Sequence, residues 1–274
     1  MVTAGDIEFE QEQTKIFVLT KSVIIMVAGD LTVQADILHS VIEHKNRQLN
    51  EYPDEWLSVK LVADWFYEDL AAITRQRAAK MILHPLNLDF DKLVLAGIDS
   101  ELANQLAKEL LDFRIAPIQA IVMGIDASGA HIYEVSNEGV VCQDWTGFAS
   151  IGAGAWHANS QLMFGEHVKH KEMAETLMLV YTAKKRAEVA PGVGEKTDMI
   201  VIGPELGHFT HVGEPAMAEL RTTYNRVRKQ AQKVRENGNA KIAKFIERAI
   251  GEPALEDPAP NLIEPGTVDG PAKA

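Results

Sequence analysis

Residues 14–31, TKIFVLTKSVIIMVAGDL, decide how this chain is read. Lys15 to Leu19 and Val23 to Ala28 are runs of β-branched, aromatic and aliphatic side chains, separated by the polar triplet Thr20-Lys21-Ser22. Such side chains pack well on a pleated surface and lose rotamer freedom in a helical turn, so the pattern predicts a hairpin. Gly29 ends the second strand and, without a Cβ, lets another backbone approach closely. Asp30 supplies the side-chain acceptor that the N-cap of a following helix needs. With Lys15 on the neighbouring strand, this strand-to-glycine-to-helix junction has the parts of a reactive site.

Upstream, Ile7-Glu8-Phe9-Glu10 alternates like a half-buried strand. Downstream, Leu31, Ala35, Leu38 and Ile42 predict one face of a helix that runs from Asp30 to about Asn50, where Tyr52-Pro53-Asp54 breaks the chain. A second helix carries Leu57, Leu61, Val62, Trp65, Phe66, Leu70 and Ile73 on a stripe wide enough to lie against a sheet. Residues 83–99 read as loop, and Ser100 to Phe113 as another amphipathic helix through Leu102, Leu106, Leu110 and Leu111. Three short β-prone runs follow, 118–124, 130–135 and 140–143, with Gly- and Asx-rich turns between them, the punctuation of an antiparallel meander. Phe148 to Trp156 is expected to pass from strand to helix, and a further helix over 171–188 to bury Leu177, Met178, Val180 and Tyr181. Asp198 to Ile202 pairs with Gly207 to Val212 as a last hairpin. Helices in blocks between antiparallel hairpins imply α+β layers, not a wound βαβ sheet.

From Pro215 to about Ile250 a long basic helix is predicted, interrupted at Asn237-Gly238-Asn239, with a solvated or subunit-covering face. Beyond Gly251, five prolines and few apolar side chains predict a disordered acidic tail. The net charge of −12 argues against nucleic acid or an anionic membrane as partner. One cysteine, Cys142, on a predicted strand where it reads as a small hydrophobe, excludes an internal disulfide and a multi-cysteine zinc site. No apolar run reaches the ~20 residues of a membrane span. The acidic N-terminus is unlike a signal peptide, so the chain is expected to be cytoplasmic.

Gly152-Ala153-Gly154 before a helix resembles a phosphate cradle, but it lacks the Lys-Ser/Thr of a P-loop and the third glycine of a dinucleotide site. Close packing of the turn is the preferred reading. His167 and His170 are interleaved with Lys169 and Lys171, and His208 and His211 fall at an odd spacing on a strand, so neither pair reads as a metal site. No Gly-x-Ser-x-Gly elbow occurs. What remains is Lys15 with Gly29. A lysine on the inner face of a sheet can lower the pKa of a nucleophile, and an N–H at a helix mouth can hold an oxyanion. The alternatives are an ordinary edge-strand lysine and an ordinary turn glycine.

Several segments, in chain order over most of residues 1–212, resemble the proteasome β-type peptidases and their bacterial relatives. They are Thr3-Ala4-Gly5, the lysine of TKIFVL, VAGD, the turn from Phe148 to Gly154, the helix end at 183–186 with its exit to Gly194, and Asp198 to Ile202. The resemblance implies a four-layer αββα sandwich of two antiparallel sheets, the N-terminal-nucleophile hydrolase fold. It covers residues 1–213, with an insertion around 78–105, a helical extension over 214–250 and the Pro-rich tail 251–274. It implies peptide-bond hydrolysis by an N-terminal Thr or Ser whose own amine is the base. Lys15 takes the place of the family's catalytic lysine and Gly29 that of its oxyanion donor. Thr3 would line the substrate groove, and Val27, Leu31 and Ala35 would shape the pocket for the side chain before the scissile bond. The implied partners are a peptide or unfolded-protein substrate, further copies in a homo-oligomeric ring and an ATPase, with no cofactor and no metal.

Two positions depart from the family. Its Gly-Ser-Gly serine is Ala153, and its acidic residue at the end of the penultimate helix is approximated by Glu188, one position off. The family's first hairpin, roughly 15–20 residues, has no counterpart ahead of Met1, and the nucleophile belongs to it. Met1 is therefore expected to be an internal methionine or the start of a truncated copy, and the chain as given to be inactive. The rival readings are a non-catalytic scaffolding or gating subunit and a small-molecule amidase of the same fold.

Overall fold

The computed structural model describes residues 2–4, 7–9, 15–53, 55–95 and 100–250, the side chains of 2–4, 7–9, 94 and 95 excepted. The fold is mixed α/β. Its centre is a five-stranded antiparallel sheet whose strands follow one another in chain order: β3 (Ile16–Val18), β4 (Val23–Gly29), β5 (Ile118–Asp126), β6 (Gly129–Ser136) and β7 (Gly139–Cys142). Two small antiparallel pairs accompany it, β1 (Val2–Ala4) with β2 (Ile7–Phe9) and β8 (Ile200–Ile202) with β9 (Phe209–His211). The expected hairpin is β3–β4, in register from Ile16 opposite Met26 to Val18 opposite Ile24.

Alternation along the strands assigns the faces. Val23, Ile25 and Val27 of β4, Ala120 and Val122 of β5, and Tyr133 and Val135 of β6 share one side. They form a single core with helix α1 (Leu31–Glu51) and helix α2 (Val59–Ala78), which contribute Val33, Ile37 and Val41, and Val59, Val62, Ala63, Phe66 and Leu70. Each of these large side chains contributes about 1.5–3 kcal/mol by leaving water. α1 starts at Asp30, whose carboxylate accepts the N–H groups of Thr32 (2.9 Å) and Val33 (3.1 Å). The Thr32 hydroxyl and these amides hold the Asp30 carboxyl below its ordinary value.

The buried stripe of α1 is Val33, Ile37 and Val41, not the expected one. Leu31 and Ala35 are exposed, while Leu38 and Ile42 are half-buried at its margin. Leu31, Ala35, Leu38 and Ile42 also keep a helical spacing, and it is the sheet beneath α1 that selects the other face. α2 ends in a π-helical turn (Ala79–Leu83) and a 3-10 turn (His84–Leu86), followed by α3 (Phe90–Leu95) and α4 (Ser100–Asp112). The stretch read as loop is thus partly helical. Of the α4 stripe only Leu106 is buried, and Leu102 and Leu111 are exposed.

Past the sheet, residues 148–150 are irregular where a strand was expected, and α5 (Ala155–Phe164) packs against α6 (Met173–Ala187). α6 buries Tyr181, Ala183 and Ala187, whereas Val180 is exposed. α7 (Glu214–Ile250) is continuous through Asn237-Gly238-Asn239, because one glycine costs a long helix only about 1 kcal/mol. The chain divides into two compact units, residues 1–221 and 222–274. The tail expected at 251–274 lies outside the described residues, among which no helix is long and apolar enough to cross a membrane.

Candidate functional site

The end of β4 is where chain segments far apart in sequence meet. Gly29 sits at φ +124°, and a Cβ added there would lie 2.2 Å from the Pro117 carbonyl oxygen. Only glycine satisfies both the backbone angle and that approach. The Gly29 carbonyl accepts the Gln34 side-chain amide at 2.9 Å, which ties the strand end to the first turns of α1. On the sheet face opposite the α1/α2 core, the Gln119 side chain accepts the Gly152 N–H at 3.0 Å, and a Cβ at Gly152 would lie 3.2 Å from that of Ala28. A Cβ at Gly154 would lie 2.7 Å from Ala187 at the end of α6. The Gly152-Ala153-Gly154 turn is therefore wedged between the end of β4 and the end of α6, which is the close-packing reading of its glycines.

At that end of α6, Glu188 accepts hydrogen bonds from Lys184 (2.6 Å) and Lys185 (2.9 Å). The same two ammonium groups reach the carbonyls of Gly194 (2.7 Å) and Glu195 (3.3 Å), which fixes the glycine-rich exit. Lys15 immediately precedes β3, and extending the β3–β4 register places it level with Val27, two residues before Gly29. It is exposed, which differs from the enclosed ammonium expected on an inner sheet face. Val27 is buried in the core, Leu31 and Ala35 lie at the surface on the first turns of α1, and Thr3 lies in β1 with its side chain outside the described residues.

A second cluster was missed in the sequence. Asp126, read as turn, is the last residue of β5 and is buried. Its carboxylate accepts the Val59 N–H at the start of α2 (2.9 Å), the Ser128 N–H (2.8 Å) and the Ser128 hydroxyl (2.6 Å). Ser128 Oγ lies 2.8 Å from His131 Nε2, and His131 Nδ1 lies 2.7 Å from Asp144 Oδ2. Asp144 also accepts the Ile132 N–H at 2.8 Å. These are the spacings of a Ser-His-Asp relay, but the proton count differs. The Ser128 hydroxyl donates to the Asp126 carboxylate at 2.6 Å and not to the imidazole, while His131 stands between Ser128 Oγ and the Asp144 carboxylate. A hydroxyl whose proton is committed to a buried carboxylate, and not to the imidazole, is not an activated nucleophile. The cluster is a clasp that closes the β5–β6 turn and caps α2.

Both carboxyls of the clasp are held below their ordinary value. For Asp126 burial works upward and is outweighed by the Ser128 hydroxyl and the Val59 and Ser128 amides. For Asp144 burial is outweighed by the Ile132 amide, His131 and Cys142. Burial also pushes the Tyr133 phenol up. Cys142 itself is exposed, not the enclosed small hydrophobe expected of it. The available signal was strand register: Tyr133 pairs with Cys142, so His131 falls opposite Asp144. Among the described residues no group of three His, Cys, Asp or Glu side chains is arranged to hold a metal ion.

The fold and the two clusters define a mixed α/β protein with an antiparallel sheet and a tight glycine junction at the end of its second central strand. No family model matches the chain, and no curated protein matches it.

Proposed function

We propose that this chain is a subunit of a proteasome-like peptidase assembly with the four-layer sandwich fold, and that it forms homo-oligomeric rings. One observation carries the reading. The end of β4 at Gly29, the Gly152-Ala153-Gly154 turn and the end of α6 come together, although more than a hundred residues separate the first from the second. These are the segments in which the sequence resembles the catalytic centre of that family. In this reading the nucleophile is an N-terminal Thr or Ser outside these residues, Gly29 donates to the oxyanion and Lys15 faces the nucleophile's amine. Thr3, Leu31 and Ala35 flank the bound peptide, and Val27 supports the pocket floor from the core.

A second reading, a non-catalytic ring subunit, is favoured by two particular observations. Ala153 lacks the family's hydroxyl, and Lys15 is exposed. One experiment separates the two. The protein is expressed with its native upstream coding region, imaged by electron microscopy, assayed on fluorogenic peptides and treated with a threonine-directed covalent probe. A ring that hydrolyses peptide and is labelled at its first residue supports the peptidase. A ring that does neither supports the scaffold, and a particle with no ring and no hydrolysis overturns both.

A further inference from the structure

The part of α7 beyond residue 221 is a helix about 43 Å long at 1.5 Å per residue, with no buried residue among 222–250. It is nevertheless patterned for burial. Val227, Ala231, Val234, Gly238, Ile242 and Phe245 follow one another at steps of four, three, four, four and three, which keeps them in one stripe. The large members are open to solvent, Val234 at 71% and Phe245 at 70%. A helix of this kind draws most of its stability from packing an apolar face, so the stripe calls for a partner.

Charge decides which partner. Residues 222–250 carry eight Lys and Arg against two Glu, whereas residues 1–221 carry eighteen against thirty-two Asp and Glu. Arg228, Arg235, Lys241 and Arg248 flank the stripe, so laying this helix on its own copy would set like charges edge to edge. The same excess of acid on 1–221 repels an anionic bilayer or a nucleic acid from the chain as a whole. We propose that residues 222–250 dock, apolar stripe inward and cations at the rim, on the acidic 1–221 unit of a second copy of this chain. The inference rests on charge and periodicity in α7 and does not require peptide hydrolysis.

The test uses the full chain. A photo-crosslinking residue replaces Gln230, at the margin of the stripe, in a mixture of isotopically light and heavy protein, and the products are mapped by mass spectrometry. Sedimentation velocity is run in parallel on the wild type and on Val234→Glu/Ile242→Glu, with circular dichroism to show that the variant folds. Expected are light-to-heavy crosslinks from 222–250 into 1–221, and association weakened at least about tenfold by the two glutamates, as for charge introduced at an interface centre. Raised salt is expected to weaken association as well. Crosslinks between two copies of 222–250, crosslinks within one chain only, or a monomer at every concentration would overturn the proposal. Co-sedimentation with anionic vesicles or with duplex DNA that the two glutamates abolish would overturn it too. For a variant that does not fold, Arg228→Glu/Arg235→Glu on the exposed rim gives the same readout.

Discussion

Replacing Gly29 with alanine adds one methyl group where two separate penalties meet. The first is conformational: at φ +124° an L side chain is strained, at about 1–3 kcal/mol. The second is steric, since the new Cβ would lie 2.2 Å from the Pro117 carbonyl oxygen, a backbone atom that cannot rotate away. Forcing an atom into such a place typically adds about 1–3 kcal/mol. Gly129 is the matched control, with φ +128° and nothing within 4 Å of an added Cβ. Gly129→Ala should therefore show the first penalty alone, and Gly29→Ala about twice the loss. Urea unfolding followed by circular dichroism on the wild type and both variants gives the two differences directly. Equal losses would refute the claim that the Pro117 approach is what requires glycine at the end of β4. A milder loss for Gly29→Ala would refute it more strongly.

Removing the clasp carboxylate with Asp126→Ala leaves the Val59 N–H buried without an acceptor and should cost about 2–4 kcal/mol, read by the same unfolding assay. A loss within error of zero would show that Ser58 alone caps α2. Asp126 and Asp144 have folded values below the unfolded one of 3.8, so their stabilisation is full above that pH and is lost as pH falls through the lower folded values. Acid titration of wild type and Asp126→Ala should show the two stability curves converging in that range; parallel curves would remove Asp126 from the acid transition. Gly238→Ala, with nothing within 4 Å of the added methyl, should stabilise α7 by about 1 kcal/mol, and a loss of helical signal would contradict its continuity. The exposed Cys142 should react with a thiol reagent in the folded protein, and a requirement for denaturant would place it indoors.

How far the sequence led can be traced through particular residues. The β3–β4 hairpin, the Asp30 cap and the β5–β6–β7 meander were legible because alternation and turn chemistry are local signals. The face of α1 was not, since Leu31 and Ala35 have the right spacing and the wrong side, and only the sheet beneath selects Val33, Ile37 and Val41. The break expected at Asn237-Gly238 failed for a related reason: residue preference at one turn yields to a helix of 37 residues. At the candidate site, Gly29 and the Gly152–Gly154 turn were singled out from sequence, yet their adjacency through Ala28 and Gln119 depends on long-range pairing. The exposure of Lys15 and the placing of Val27 in the core are likewise tertiary facts, set by which sheet face each residue occupies. The Asp126 clasp joins residues from two turns and a helix start, so no single window of sequence displays it.

The leading N–H of α2 finds its acceptor 67 residues further along the chain. A peptide cut to 59–78 lacks that acceptor and should fray from its front end. During folding the opening turn of α2 becomes secure only once the β5–β6 hairpin has closed, which makes this stretch a late arrival even though it lies in the first third of the polypeptide.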